Sequence, residues 1–268
     1  MKNTKVIALI NQKGGVGKTT TTFSLGAAYA RQGAHVLLID ADPQANLTQM
    51  MGWQNPEMVQ LTLAAVLDAA IADEQLSPER VILNHSKGLD LVPSGIELAN
   101  TEVSLVTAVS REHILKSFIE EVSDSYDYIL IDCTPSLGML TMNAMVAADS
   151  LIIPVVPHFL PVKGLEQMLK SVAKVQRNRH LNPNLEIDGI LLTMVSGART
   201  NLESAMVKLI TEAYGNVVRV FDTQIPKSIR AAEMSAVGKS IFEYASSSNV
   251  AAAYAALADE LTGREVKK

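Results

Sequence analysis

Lys13-Gly14-Gly15-Val16-Gly17-Lys18-Thr19-Thr20 is the stretch that decides the fold. It follows the apolar run Val6–Ile10 and opens a helix-like segment, Thr21 to Arg31. Strand, glycine-rich loop and helix, in that order, are the setting of a phosphate-binding loop. Gly14, Gly15 and Gly17 remove side chains, so the backbone N–H groups from Gly14 through Val16 to Thr20 can curl around phosphate oxygens. The helix that follows aims its positive end at the same oxygens. Lys18 adds a full charge, and the Thr19 hydroxyl is placed to ligate Mg²⁺. The usual pattern has a glycine separated from the Gly-Lys pair by four residues; here that position is Gln12, and a second lysine, Lys13, opens the loop.

Outward from the loop, apolar runs alternate with helix-like stretches. The strand candidates are Val6–Ile10, Val36–Ile39, Leu89–Val92, Tyr128–Ile131, Leu151–Val156, Ile187–Val195 and Val217–Phe221. The helix candidates are Thr19–Gln32, Leu61–Ala72, Arg111–Val122, Leu137–Ala147, Val162–Arg179, Asn201–Tyr214 and a last one near Asn249–Leu261. Continuous apolar strands suit a sheet buried on both faces. The alternation predicts an α/β class: a doubly wound, mostly parallel sheet flanked by helices, in one domain over residues 1–268. Ligands of such a sheet bind at the carboxyl ends of its strands, where both Gly14 and Asp40 fall. The less regular segment from about Asn46 to Asn84 reads as an inserted helical flap.

Composition narrows the classes. Hydrophobic residues make up 48% of the 268 and aromatics only 4%, so aliphatic side chains and Met must fill the core. No charged-then-apolar leader and no bilayer-length apolar run is present, which predicts a soluble, cytoplasmic chain. A single cysteine, Cys133, excludes an intrachain disulfide and a Cys-rich zinc site and reads as a small packing residue. The net charge is −5, but residues 1–150 carry nine Lys and Arg against 17 Asp and Glu, and residues 151–268 carry 14 against 11. An acidic half and a mildly basic half permit a local basic face.

Lys13 sits too early to be the phosphate lysine, a role Lys18 fills. A cation there can face across a dimer and touch the nucleotide of a second subunit. Two further stretches follow in order, Ile39-Asp40-Ala41-Asp42-Pro43-Gln44 and Ile131-Asp132-Cys133-Thr134-Pro135. Asp132 and Asp40 both end apolar strands, the expected place for carboxylates that hold Mg²⁺ through water, with Thr19 as the third metal residue. With Lys13 this set resembles the deviant Walker A ATPases, and more narrowly the ParA/Soj partition ATPases, over nearly the whole chain.

The resemblance implies ATP and Mg²⁺ as cofactors, weak ATP hydrolysis and a homodimer with ATP sandwiched between its subunits. It gives Asp42 the task of orienting the attacking water, and Lys13 and Lys18 roles in stabilising transferred charge. It places an adenine-side loop at Ile225-Pro226-Lys227-Ser228, with Pro226 and Ser228 facing the base, although many relatives carry Asn where Ser228 stands. It implies a non-specific DNA face formed by Arg199, Lys227, Arg230 and Lys239, a nucleoid location and a partner resembling the ParB centromere-binding proteins. No helix-turn-helix domain is expected ahead of the first strand. Thr134–Gly138 resembles a switch segment that senses the γ-phosphate. Met139, Met142 and Met145 read as a core stripe, and Lys170, Lys174, Arg177 and Arg179 as a solvated helix face.

Relatives with other biology share the loop. The last helix, with a small apolar stripe and two acids, reads as a packing element rather than a MinD-like membrane anchor. Two further classes carry the same kind of loop: metabolic synthetases of this fold, and ATPases that position a protein cargo.

Overall fold

The computed structural model describes residues 4–157, 162–196 and 201–263. Seven strands form one sheet: β1 (Lys5–Leu9), β2 (Val36–Ala41), β3 (Leu83–Ser86), β4 (Leu89–Val92), β5 (Tyr128–Cys133), β6 (Ser150–Val155) and β7 (Glu186–Leu192). Their spatial order is β3-β4-β2-β5-β1-β6-β7, and every pairing is parallel except that of β3 with β4. The helices are α1 (Lys18–Arg31), α2 (Asn46–Met50), α3 (Leu63–Ile71), α4 (Leu98–Leu105), α5 (Ile114–Val122), α6 (Met139–Ala147), α7 (Val162–Arg177), α8 (Asn201–Tyr214), α9 (Ile229–Glu233), α10 (Ile241–Tyr244) and α11 (Asn249–Thr262).

The strands are apolar throughout because both of their faces are covered. On one face Val6, Ala8, Leu37, Ile39, Ile129, Ile131, Leu151 and Ile153 pack with residues of α3, α5, α6 and α7. On the other, Ile7, Leu9, Val36, Leu38, Leu130 and Ile152 pack with α1 and α11. Alternate residues of one strand thus enter two separate cores, the arrangement expected of a doubly wound sheet. Both cores are filled mainly by Leu, Ile, Val and Ala, and the few aromatics gather mostly in the second, where Phe23, Tyr29, Phe221 and Tyr254 lie.

Several elements differ from the sequence expectation, among them the helices α4, α9 and α10, which it did not mark. Val217–Phe221 is not a strand: it touches the edge of β7 at an isolated bridge, Ile190 with Val220. Val218 and Phe221 are buried in the cores while Val217 is exposed, and Glu260 Oε1 and Oε2 accept the N–H groups of Asp222 and Thr223 just beyond. The seventh strand is β3, a short edge strand whose side chains alternate between partial and full exposure. The segment 46–84 is not a flap either, because Leu63, Ala64, Val66 and Leu67 of α3 belong to the main core. Met145 is fully buried and Met139 and Met142 pack against the same core, in line with a core stripe. Lys170, Lys174, Arg177 and Arg179 are exposed, and Lys170 pairs with Glu166 across one turn at 2.6 Å.

Candidate nucleotide site

The carboxyl ends of β1, β2 and β5 converge because the strands are adjacent and in register. Asp40 of β2 stands opposite Asp132 of β5, and Leu9 at the end of β1 stands opposite Asp132 from the other side. Three polar loops therefore leave the sheet at one place.

The first is the glycine loop. Gly15 and Gly17 hold φ of 69° and 86°, a left-handed backbone that β-carbons resist. The turn is braced from behind, where the Thr193 hydroxyl donates to the Val16 carbonyl at 2.8 Å. Lys18 begins α1, is 7% exposed, and its ammonium donates to the Asn11 carbonyl at 3.1 Å. Burial holds its pKa below the ordinary lysine value, while Asp132 pulls in the opposite direction. Lys13 lies in the same loop but is exposed, its backbone N–H donating to Asn11 Oδ1 at 3.0 Å. One loop thus carries one cation sunk into the site and one turned outward.

Asp132 is buried, and its Oδ2 has no hydrogen-bond partner. Burial, then the neighbouring Asp40, push its carboxyl up to about 8, with the Thr19 hydroxyl drawing it back. A buried carboxylate oxygen left without a partner, beside a hydroxyl and a loop built for phosphate, fits a Mg²⁺ ion that also takes phosphate oxygens and water. Among the described residues no cluster of three His, Cys, Asp or Glu could hold a metal alone. Asp40, expected to share outer-shell work at the metal, has both of its oxygens hydrogen-bonded within the chain. Its Oδ2 accepts from the Thr48 N–H and hydroxyl at 2.8 and 2.7 Å, and its Oδ1 from the Asp42 N–H at 3.2 Å. Burial still raises its pKa to about 7. Asp42 is 7% exposed, its Oδ1 accepts from the Gln44 N–H at 3.0 Å, and it lines the cleft. Cys133 is buried, with burial pushing its thiol up, and serves as packing.

Two adjoining cavities complete the site. A cleft of about 490 Å³ is lined by Gly15, Gly17, Lys18, Thr19, Thr20 and Asp42, with Asn46, Gln49, Ser235 and Ala236 among its other walls. A second, of about 260 Å³, shares Gly17, Thr20 and Met194 with it and is walled by Thr193, Ile225, Pro226, Lys227, Ser228 and Tyr254. Its lining is mostly apolar, which suits a planar base, and Pro226 and Ser228 are among the residues that line it. A polar cleft on the glycine loop leading into an apolar one matches the phosphate and base ends of a nucleotide.

A protein-family model for an AAA domain matches residues 4–187. The sporulation initiation inhibitor protein Soj of Bacillus subtilis is 42% identical over 257 residues, which are 96% of this chain and 98% of the relative. The chain belongs to the ParA/Soj family of partition ATPases. The chromosome partitioning protein ParA of Caulobacter vibrioides is 37% identical, over 97% of this chain and 95% of its own. Among solved structures, a cobyrinic acid a,c-diamide synthase from Mycobacterium smegmatis superposes with a TM-score of 0.82 at 33% identity, covering 96% of this chain and 93% of that one, and carries ADP and magnesium.

For this ParA/Soj-family chain, the glycine loop, Asp42, Asp132, Pro226 and Ser228 gather where the sequence expected them. Lys227, Arg230 and Lys239 are all exposed, on the stretch that walls the base cavity and continues past α9; Arg199 lies outside the described residues. The sequence did not single out Asn11, Thr48, Ser94 or Thr193, and it read Tyr254 only as part of the apolar stripe of the last helix. Of these Asn11 carried a signal, as a polar residue one step beyond the apolar run Val6–Ile10. The last helix is a packing element, with Val250, Tyr254 and Leu257 buried and the Tyr254 hydroxyl within 3.2 Å of the Thr21 hydroxyl of α1. Among the described residues no helix is long and apolar enough to cross a membrane.

Proposed function

We propose that this chain is a dimeric switch run by Mg²⁺ and ATP, which binds nucleoid DNA without sequence preference and partitions a chromosome or plasmid with a ParB-like partner. The observation that carries this reading is the division of labour in the glycine loop. Lys18 is enclosed with Asp132 and Asp42, whereas Lys13 is exposed in the same loop. A loop that has already placed one ammonium on its own phosphates has a second to offer to the triphosphate of another subunit, as an arginine finger does.

In this reading the loop N–H groups and Lys18 bind and orient the phosphates. Asp132 and Thr19 would hold a Mg²⁺ ion, which would neutralise phosphate charge. Asp42 orients the attacking water, and the partner's lysine stabilises the charge that develops. Hydrolysis removes the group that both subunits grip, so the dimer loosens and its DNA face falls apart. Exposed Lys227, Arg230 and Lys239 support that face through phosphate contacts, with Arg199 added from the sequence. A second reading, a DNA-independent synthetase, is favoured by the likeness to the cobyrinic acid a,c-diamide synthase.

Size-exclusion chromatography with light scattering tests the switch. The chain is expected to elute as a dimer with ATP and as a monomer with ADP. Lys13→Ala is expected to keep nucleotide binding but lose partner-stimulated hydrolysis. A wild-type chain that stays monomeric with ATP overturns the reading, and steady small-molecule turnover unaffected by DNA supports the synthetase.

A further inference from the structure

Asp42 is held by a hydrogen-bond ring that closes far from it in sequence. Its N–H donates to Asp40 Oδ1 at 3.2 Å. The other oxygen of Asp40 accepts from the Thr48 hydroxyl at 2.7 Å. That hydroxyl in turn accepts the Ser94 N–H at 2.9 Å. The ring closes where the Ser94 hydroxyl donates to the Asp42 carbonyl at 2.8 Å. Asp40, Thr48 and Ser94 are each 0% exposed, so water cannot stand in for any member. Every donor and acceptor direction is consistent: each hydroxyl gives one proton, and the Thr48 oxygen also receives one.

We propose that Ser94 and Thr48 are positioning residues for ATP hydrolysis, acting through this ring to fix the backbone on which Asp42 is presented. The inference rests on the role given to Asp42 above. Phosphoryl transfer depends on placement, and small displacements of a water-orienting group cost rate steeply. Both ends of the Asp42 peptide are tied, its N–H to Asp40 and its C=O to Ser94. Among the described residues, the hydrogen bond its side chain makes is a local one, from the Gln44 N–H. Of the ring's members only Asp42 lines the phosphate cleft, and none belongs to the glycine loop or lines the base cavity. Failure of the ring should therefore slow turnover without weakening the grip on nucleotide.

The test compares steady-state ATP turnover, affinity for a fluorescent ADP and melting temperature in the full chain. Ser94→Ala is expected to lower kcat roughly tenfold while KM and ADP affinity stay within about twofold. Thr48→Val, similar in shape, should behave alike, and the double variant should be no slower than the slower single variant, since the ring acts as a unit. Ser94→Cys, a weaker donor of the same shape, should fall between, and it decides by the same criterion if Ser94→Ala does not fold. A kcat within about twofold of wild type in the Ser94 variant overturns the proposal, as does a matching loss of ADP affinity, the mark of a merely structural role. Asp42→Ala separates the two layers of the argument. If it hydrolyses ATP at the wild-type rate, the role of Asp42 fails and the ring's purpose with it. If it is inactive while Ser94→Ala turns over normally, only the ring is refuted.

Discussion

Lys18 shows how a single side chain can be costly alone and useful in company. Burial works against its charge, and Asp132 and Asp42 work for it. The arrangement suits a visitor bearing negative charge, because phosphate oxygens would add to the favourable side. Lys18→Met keeps an apolar stem of similar length and removes the charge. It is expected to weaken nucleotide binding more than about tenfold, a loss of at least ~1.4 kcal/mol, in a fluorescence titration. An affinity unchanged within experimental scatter would mean that the ammonium does not meet the phosphates. Lys13 sits differently: it is exposed at the mouth of the loop, so Lys13 and Lys18 are not interchangeable.

At the level of elements, α1 lies close on β2 because Gly26 has no side chain. A β-carbon built there would stand 2.6 Å from Leu38 Cδ2, and Leu38 is fully enclosed. Gly26→Val is expected to cost about 1–3 kcal/mol in urea unfolding through overpacking, with the helix pushed off the sheet. A stability equal to wild type would show that Leu38 can move aside. The sequence revealed α1 and β2 because their signals are local: a glycine loop, an apolar run, a strand-ending aspartate. It concealed β3, whose Leu83-Asn84-His85-Ser86 run is mostly polar because the strand lies at an edge. It overrated Val217–Phe221, where Val218 and Phe221 are buried but the segment meets β7 at a single bridge, Ile190 with Val220. In the site, Asp42 and Asp132 were legible from where apolar strands end. Ser94 and Thr48 were not, because the bond that joins them spans 46 residues and no short spacing announces it.

Across the whole molecule, two enclosed carboxyls at the centre of the sheet link stability to pH. Asp40 and Asp132 keep their protons up to about 7 and about 8 in the folded chain, against roughly 3.9 for an unfolded aspartate. Protonation therefore favours the fold: this contribution is complete below about pH 4 and is lost as the pH rises through the two folded values. The nucleotide-free chain is expected to melt at a lower temperature at about pH 8.5 than at about pH 6, and added Mg²⁺ and ATP should raise the melting point more at the higher pH. A melting temperature that climbs steadily over that range would contradict the linkage. Charge at the surface has its own test. Arg230→Glu should abolish retention on DNA while sparing nucleotide binding, and any residual affinity should depend less steeply on salt. DNA binding as strong as wild type would place the contact surface elsewhere. Finally, the outer rim of β7 is not left bare. Arg219 and Phe221 bond to Ile190, and Glu260 clamps the chain just beyond, pairing with Arg219 at 2.6 Å. This strap occupies part of a row of amides that would otherwise invite a stray strand from a neighbouring molecule, so one carboxylate near the end of the chain helps guard a crowded solution of this protein against runaway stacking.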